Sequence, residues 1–310
     1  MKDDIRLPNV SVVVPVYNMR RTIGKALDSL MVQTYPKTRY EVVVVDNASD
    51  DGSEKVIKRY PVRYVLEEAV RNVHGAQNRG IAESSGELVA FCGADDAADR
   101  DWLRELVVGW EDPEVGGTFG SFEPLVTPHG TLVERFGFRN DLRRIPSADG
   151  LYRFVGSGNT AYKRTVLEAL GGFNTEMLSG GDFVFSCRVP EQLGLRMRYN
   201  PEARMQIGTR KLMGARFKQQ MRYGCGFKSV SAQCGVDTTP TLGVTLGKLA
   251  TVVPWGVTQM LYRVFKRQEA MPQPEYVMET IVYTVDEVGT NLGRLMFILR
   301  HNDWKRSLFW

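Results

Sequence analysis

Four short runs rich in β-branched residues dominate the N-terminal third of the chain: VSVVVPVY (10–17), YEVVVVD (40–46), VRYVLEE (62–68) and ELVAFCG (87–93). Their length and content predict buried strands. Between them the periodicity is helical. NMRRTIGKALDSLMVQT (18–34) has Asn18 as its candidate N-cap, EKVIKRY follows the second run, and GAQNRGIAESS (75–85) ends before Gly86. Strands alternating with helices predict right-handed βαβ units and a mostly parallel α/β sheet. Ligands of such sheets bind beyond the carboxyl ends of the strands. Three of the runs lead into polar residues there: Tyr17 and Asn18, Asp46 and Asn47, then Asp95 and Asp96.

The chemistry of that crevice excludes two common readings. A nicotinamide-binding sheet needs GxGxxG at its first strand–helix turn, and here that turn is PVYNMRRTIG. A phosphate-cradling P-loop is absent as well. The crevice instead gathers carboxylates, which repel phosphate unless a divalent cation bridges them. Carboxylate, diphosphate and Mg²⁺ or Mn²⁺ together are the chemistry of a nucleotide-activated donor. Asp95 and Asp96 have a plainer reading as caps of a helix over 100–110. Past residue 112 the alternation weakens. GSGNTAYKRTVLEALGGFN (156–174) holds a helix between glycine turns, and GGDFVFSCRVPEQLG (180–194) opens a helix with Asp182 where the helix dipole favours an acid.

With 310 residues the chain is long enough for one large α/β domain and an appendage. A net charge of +4 is too small to imply a nucleic-acid partner, and none is expected. Cys92, Cys187, Cys225 and Cys234 form no CxxC pair, which fits a reducing cytoplasm. The start, MKDDIRLPNV, lacks the apolar core of a signal peptide.

Five segments, VSVVVPVYN, VVVVDNASDDGS, NRGIAESSGELVAFCGADD, GNTAYKRTVLEALGGFN and GDFVFSCRV, occur in an order that resembles the family 2 glycosyltransferases over about residues 9 to 226. The resemblance implies a GT-A fold and inverting transfer of a sugar from a nucleotide diphosphate, UDP ahead of GDP, to an acceptor hydroxyl. It implies that Pro15 and Tyr17 pack on the base and that Asp46 recognises base or ribose. Asp95 would hold Mn²⁺ or Mg²⁺, with Asp96 beside it at the donor, and Asp182 would be the catalytic base. Arg222, in KQQMRYGCG, would approach the diphosphate. Four positions depart from the family pattern: Gly93 stands for an Asp, Gly181 for a Glu, Gln77 for an Arg, and Gln206–Ile207 where a His is common. They keep a second reading open, a nucleotide-sugar-binding protein with little or no catalysis.

The expected division is a catalytic domain over 1–235 and a helical extension over 236–310. Between Lys248 and Arg263 runs LATVVPWGVTQMLY, uncharged but only 14 residues long, against about 20 for a membrane span. NLGRLMFILRHNDWKRSLFW (291–310) mixes apolar and aromatic residues with Arg and Lys. Such a segment suits the interface of an anionic membrane. The expectation is an enzyme peripheral to the inner face of the cell membrane, acting on a glycan or lipid-linked acceptor.

Overall fold

A computed structural model of the chain describes residues 7–125, 155–177, 179–208, 212–234, 245–252 and 274–299. The chain divides into two compact units. The first comprises 1–125, 140–176 and 181–208, and the second 126–139, 177–180 and 209–310.

The first unit is one sheet flanked by helices. In chain order it carries β1 (Val10–Val16), α1 (Ile23–Met31), β2 (Tyr40–Asp46), α2 (Ser53–Ile57), β3 (Arg63–Leu66), α3 (Val73–Glu83), β4 (Leu88–Cys92), β5 (Ala97–Ala98) and α4 (Trp102–Leu106). β6 (Val115–Pro124), β7 (Asn159–Lys163), α5 (Arg164–Ala169), α6 (Gly181–Leu193) and β8 (Arg196–Ile207) complete it. The strand order is β3-β2-β1-β4-β7-β6-β8-β5.

The half built from the four apolar runs is parallel: β1 pairs with β2 and β4, and β2 with β3. These strands read as unbroken apolar runs because both faces are covered; Val12, Val13 and Val14 are wholly buried. The other half combines both directions, with β6 parallel to β8. β7 is antiparallel to β4 and β6, and β5 to β8, so the sheet is mixed. Crossover helices impose parallel pairing only where they connect the strands. The expected helix cap at Asn18 also changes. α1 starts at Ile23, preceded by Thr22, while Asn18 takes a left-handed φ of 54° and its Oδ1 accepts the Asp50 N–H at 3.0 Å. Asn is among the few residues that adopt this conformation readily.

The core lies between the parallel strands and α3, α5 and α6, around Phe91, Tyr162, Phe173 and Phe185. Tyr162 and Phe185 meet edge to face at 4.9 Å between ring centres. One buried amide joins β7 to β6, β8 and α4. Asn159 donates to Ser121 O and Ala203 O, both at 2.9 Å, and accepts the Trp102 indole N–H at 2.7 Å.

In the second unit α7 (Met213–Cys234) and α8 (Pro274–Leu299) pack together. A two-pronged ion pair joins them: Arg216 Nε meets Asp286 Oδ1 at 2.6 Å, and Nη2 meets Oδ2. Both side chains are buried, which makes the pair intolerant of losing one partner. α7 therefore groups with the tail helix, and the expected boundary at 235 falls inside this unit. Among the described residues no helix is long and apolar enough to cross a membrane. Residues 253–262 of the uncharged run and 300–310 of the basic–aromatic segment lie outside the described residues.

Candidate active site

β1 and β2 end level with each other, with Val16 opposite Asp46. The chain leaves both strands in a shared turn. Asn47 N–H donates to Val16 O at 2.8 Å, Asn18 N–H to Ser49 Oγ at 2.9 Å, and Arg20 N–H to Asp51 Oδ2 at 2.8 Å. Pro15 and Tyr17 are half-buried on this edge. Asp46 is 1% exposed. Its Oδ1 accepts the Ser49 N–H at 2.9 Å and its Oδ2 the Tyr64 hydroxyl at 3.1 Å, so each oxygen keeps a lone pair for a ligand. Burial, and then the Asp46 charge, push the Tyr64 hydroxyl well above its ordinary range. Tyr64 thus stays a donor and holds the carboxylate in place.

Past β4 the chain turns at once, with Asp96 N–H on Gly93 O at 3.2 Å. The turn separates the two aspartates. Asp95 is half-exposed, whereas Asp96 is 5% exposed and its Oδ1 accepts the Gly208 N–H at 3.3 Å. Asp96 Oδ2 lies where a side chain on Gly93 would begin, 2.3 Å from an ideal Cβ. A side chain at 93 would therefore require the Asp96 carboxylate to shift. Burial, reinforced by Asp96 and Asp95, pushes the Cys92 thiol up and keeps it inert. The departure at Gln206–Ile207 lies close by: Gln206 is paired with Ala97 on the sheet edge.

The loop Gly156–Ser157–Gly158 enters β7 between two carboxylates. An ideal Cβ on Gly158 would lie 3.5 Å from Asp96 Oδ2, and one on Gly156 3.5 Å from Asp182 Oδ2. Asp182 stands in the first turn of α6, half-buried. Ser157 N–H donates to its Oδ2 at 3.1 Å and Phe183 N–H to its Oδ1 at 3.0 Å. Beneath it is Tyr162, whose hydroxyl is raised well beyond its ordinary range by burial and then by the Asp182 charge.

Pro15, Tyr17, Asp46, Asp95, Asp96 and Asp182 all belong to the first unit and stand on strand ends, turns and a helix start around the carboxyl edge of β1, β2 and β4. Arg222 is exposed on α7 of the second unit. Sequence reasoning missed Tyr64, Ser157 and His74. His74 and Gln77 share a face of α3, three residues apart, and that spacing was the available signal.

Three comparisons bear on this site. The family model for Glycosyl transferase family 2 matches residues 11–171, more than half of the chain, and the chain belongs to that family. Glycosyltransferase AglE of Haloferax volcanii is 28% identical over 306 residues, spanning 96% of this chain and 98% of that one. A Methanococcus voltae relative is 23% identical over 231 residues, covering 69% of this chain and 71% of that one. Its name is dolichyl N-acetyl-alpha-D-glucosaminyl phosphate 3-beta-D-2,3-diacetamido-2,3-dideoxy-beta-D-glucuronosyltransferase. Among solved structures, the mannosyltransferase PcManGT of Pyrobaculum calidifontis, in complex with GDP-Man and Mn²⁺, superposes with a TM-score of 0.67 at 22% identity. That match covers 97% of this chain and 88% of that one. TarS of S. aureus in complex with UDP-GlcNAc gives 0.57 at 16% identity, covering 90% of each chain. At these identities the superpositions establish the fold, that of the GT-A glycosyltransferases.

Proposed function

We propose that this glycosyltransferase moves a sugar from a nucleoside diphosphate sugar to an acceptor hydroxyl in a single inverting displacement. The acceptor oxygen attacks the anomeric carbon, and the bond from that carbon to the diphosphate oxygen breaks. Asp182 takes the hydroxyl proton, and the nucleoside diphosphate leaves with the bonding electrons. The observation that carries this reading is the state of Asp182: half-exposed, with an N–H on each carboxylate oxygen and a lone pair left on each.

Pro15 and Tyr17 bind the base, Asp46 holds base or ribose, and Asp96 shapes the donor site. Arg222 serves the diphosphate, as its resemblance to the family's basic motif implies. Asp95 is the carboxylate that fits a divalent cation. Among the described residues no three His, Cys, Asp or Glu side chains cluster into a metal cage. A single carboxylate such as Asp95 would hold Mn²⁺ or Mg²⁺ with diphosphate oxygens and water completing the shell. Such a cation, when bound, offsets the charge of the diphosphate.

The ligands bound in the PcManGT and TarS structures support a nucleoside diphosphate sugar and make GDP and UDP the two arms of the test. The name of the Methanococcus voltae relative supports a lipid-phosphate-linked acceptor, which accords with a basic–aromatic tail at a membrane surface. The test measures binding and hydrolysis or transfer with UDP-GlcNAc and GDP-mannose, with and without Mn²⁺. Asp182→Asn should keep donor affinity and lower turnover by roughly 10²–10⁴-fold. Asp95→Ala should remove the Mn²⁺-dependent part of donor binding. Donor binding without turnover by the native protein, against a broad acceptor panel, would replace the enzyme with a binding protein.

A further inference from the structure

Behind Asp182 runs a chain of polar contacts that the proposed reaction does not use. His74 and Gln77 are 3% and 2% exposed, on one face of α3. His74 Nδ1 and Gln77 Oε1 are 3.0 Å apart, and Gln77 Nε2 donates to Ser157 Oγ at 2.8 Å. Ser157 N–H then donates to Asp182 Oδ2. With the Gln77 amide placed so that Nε2 donates to Ser157, Oε1 faces the imidazole, and the Nδ1–H tautomer of His74 is the one that completes the contact; this tautomer is part of the proposal below.

The support beneath this chain is rigid. Asn72 caps α3 by accepting the Gly75 N–H at 2.8 Å, and its amide donates to Thr175 O at 2.8 Å. Asn78 makes a reciprocal pair with the Phe173 backbone, both bonds at 2.8 Å. The His74 ring lies nearly parallel to that of Phe173, with 14° between the planes. Its Nε2 is buried with no hydrogen-bond partner among the described residues and would lie 2.4 Å from a Cβ on Gly181, the residue before the aspartate. An orphaned ring nitrogen wedged at the start of α6 costs free energy, and packing alone gives no reason to keep it.

We propose that His74 and Gln77 are positioning residues that act through Ser157 to hold the Asp182 carboxylate in its proton-accepting orientation. The inference rests on Asp182 being the base. Neither His74 nor Gln77 touches substrate; they set the rotamer of a group that does, as second-layer hydrogen bonds do in preorganised sites.

The experiment compares His74→Phe, Gln77→Leu and Ser157→Ala with the native protein and with Asp182→Asn. The probes are hydrolysis of UDP-GlcNAc and GDP-mannose in Mn²⁺ and the affinity for UDP and GDP. Phe keeps the ring packing, and Ala at 157 keeps the backbone N–H. Each variant should lower turnover by roughly 10- to 100-fold, the cost of a small misplacement, and leave nucleotide affinity unchanged. His74→Asn, whose amide replaces Nδ1–H, should recover most of the loss. In the Asp182→Asn background the same substitutions should have no further effect. Two results would overturn the inference: a full additional loss in that background, or a fall in nucleotide affinity that accounts for the lost turnover. Normal turnover by Asp182→Asn itself would remove the base assignment and the inference with it. Normal turnover by the other variants, with Asp182→Asn impaired, would remove the inference alone. A readout independent of substrate is the His74 tautomer by ¹⁵N NMR. The Nδ1–H form is expected in the native protein, and an Nε2–H form would break the chain at its first link.

Discussion

Replacing Gly181 by alanine sets two effects of known size against each other. Gly181 opens α6 and does not need a positive φ, so its backbone accepts alanine without strain. Loss of unfolded-chain freedom would then stabilise the fold by about 0.4–1 kcal/mol. Against this stands the His74 ring. An ideal Cβ would sit 2.4 Å from Nε2 and 2.8 Å from Cδ2 and Cε1, all far inside contact distance. A ring held by Gln77 on one side and lying along Phe173 cannot swing out to solvent. Overpacking of a filled core costs about 1–3 kcal/mol, so the clash wins. Taking the middle of each range, about 2 against about 0.7 kcal/mol, the expected net loss is about 1 kcal/mol, or roughly 2–4 °C in Tm. Urea unfolding followed by tryptophan fluorescence measures it, since Trp102 is fully buried in the same unit. The decisive comparison is Gly181→Ala in a His74→Asn background. Asparagine keeps the amide toward Gln77 but withdraws the offending ring edge. There the alanine should be neutral or stabilising. An equal loss in both backgrounds, or no loss in the native one, would refute the reasoning.

Acid should weaken the fold partly through Glu41. Burial alone would raise its pKa, but the hydroxyls of Ser11 and Ser85, the Ser85 N–H and Arg63 outweigh it and hold the carboxyl below its ordinary 4.5. A carboxyl depressed in the folded state stabilises above its unfolded pKa and loses that contribution as pH falls through the folded value. Between about pH 5 and 3, Glu41→Gln should therefore lose less stability than the native protein, which urea unfolding across pH will check. At the other end of the chain, charge reversal at Lys305 and Arg306 should weaken pelleting with phosphatidylserine-containing vesicles at low salt, since each cation near such a surface gains about 1 kcal/mol. The native interaction should fade in high salt. A native protein that ignores these vesicles even at low salt would turn the proposal toward a soluble acceptor.

The parallel half of the sheet was legible because its strands are covered on both faces and so read as continuous apolar runs. β8 was not. RMRYNPEARMQI carries three arginines, a proline and a glutamate, and its burial alternates irregularly between exposed and covered positions. β6 was legible only in part, since the stretch from Gly116 reads as less regular strands and a loop. VGGTFGSFEP looks like a turn-rich loop, yet its first eight residues are buried, and two of its glycines face neighbouring strand backbone too closely for a side chain. The segment 156–174 holds the expected helix, α5, and also a strand that went unread, β7 at Asn159–Lys163, where pairing with β4 and β6 overrides local preference.

The candidate site divides along the same physical line. Carboxylates at strand ends are visible in a sequence because charge beside an apolar run is conspicuous. Contacts such as Gln77 to Ser157 span 80 residues and leave no local trace. The two glycine departures fall between these cases. Read along the chain, Gly93 and Gly181 are missing functional groups. Read in the fold, each space is already taken, by Asp96 Oδ2 in one case and by His74 Nε2 in the other. A glutamate restored at 181 would have to expel a ring that Gln77 and Phe173 hold in place. An aspartate restored at 93 would require the Asp96 carboxylate to move aside. Gly93 and Gly181 are therefore coupled to their neighbours. Departures at such positions count against activity only if the occupying group does not serve the same site. For Gly181 the occupant leads, through three hydrogen bonds, back to Asp182.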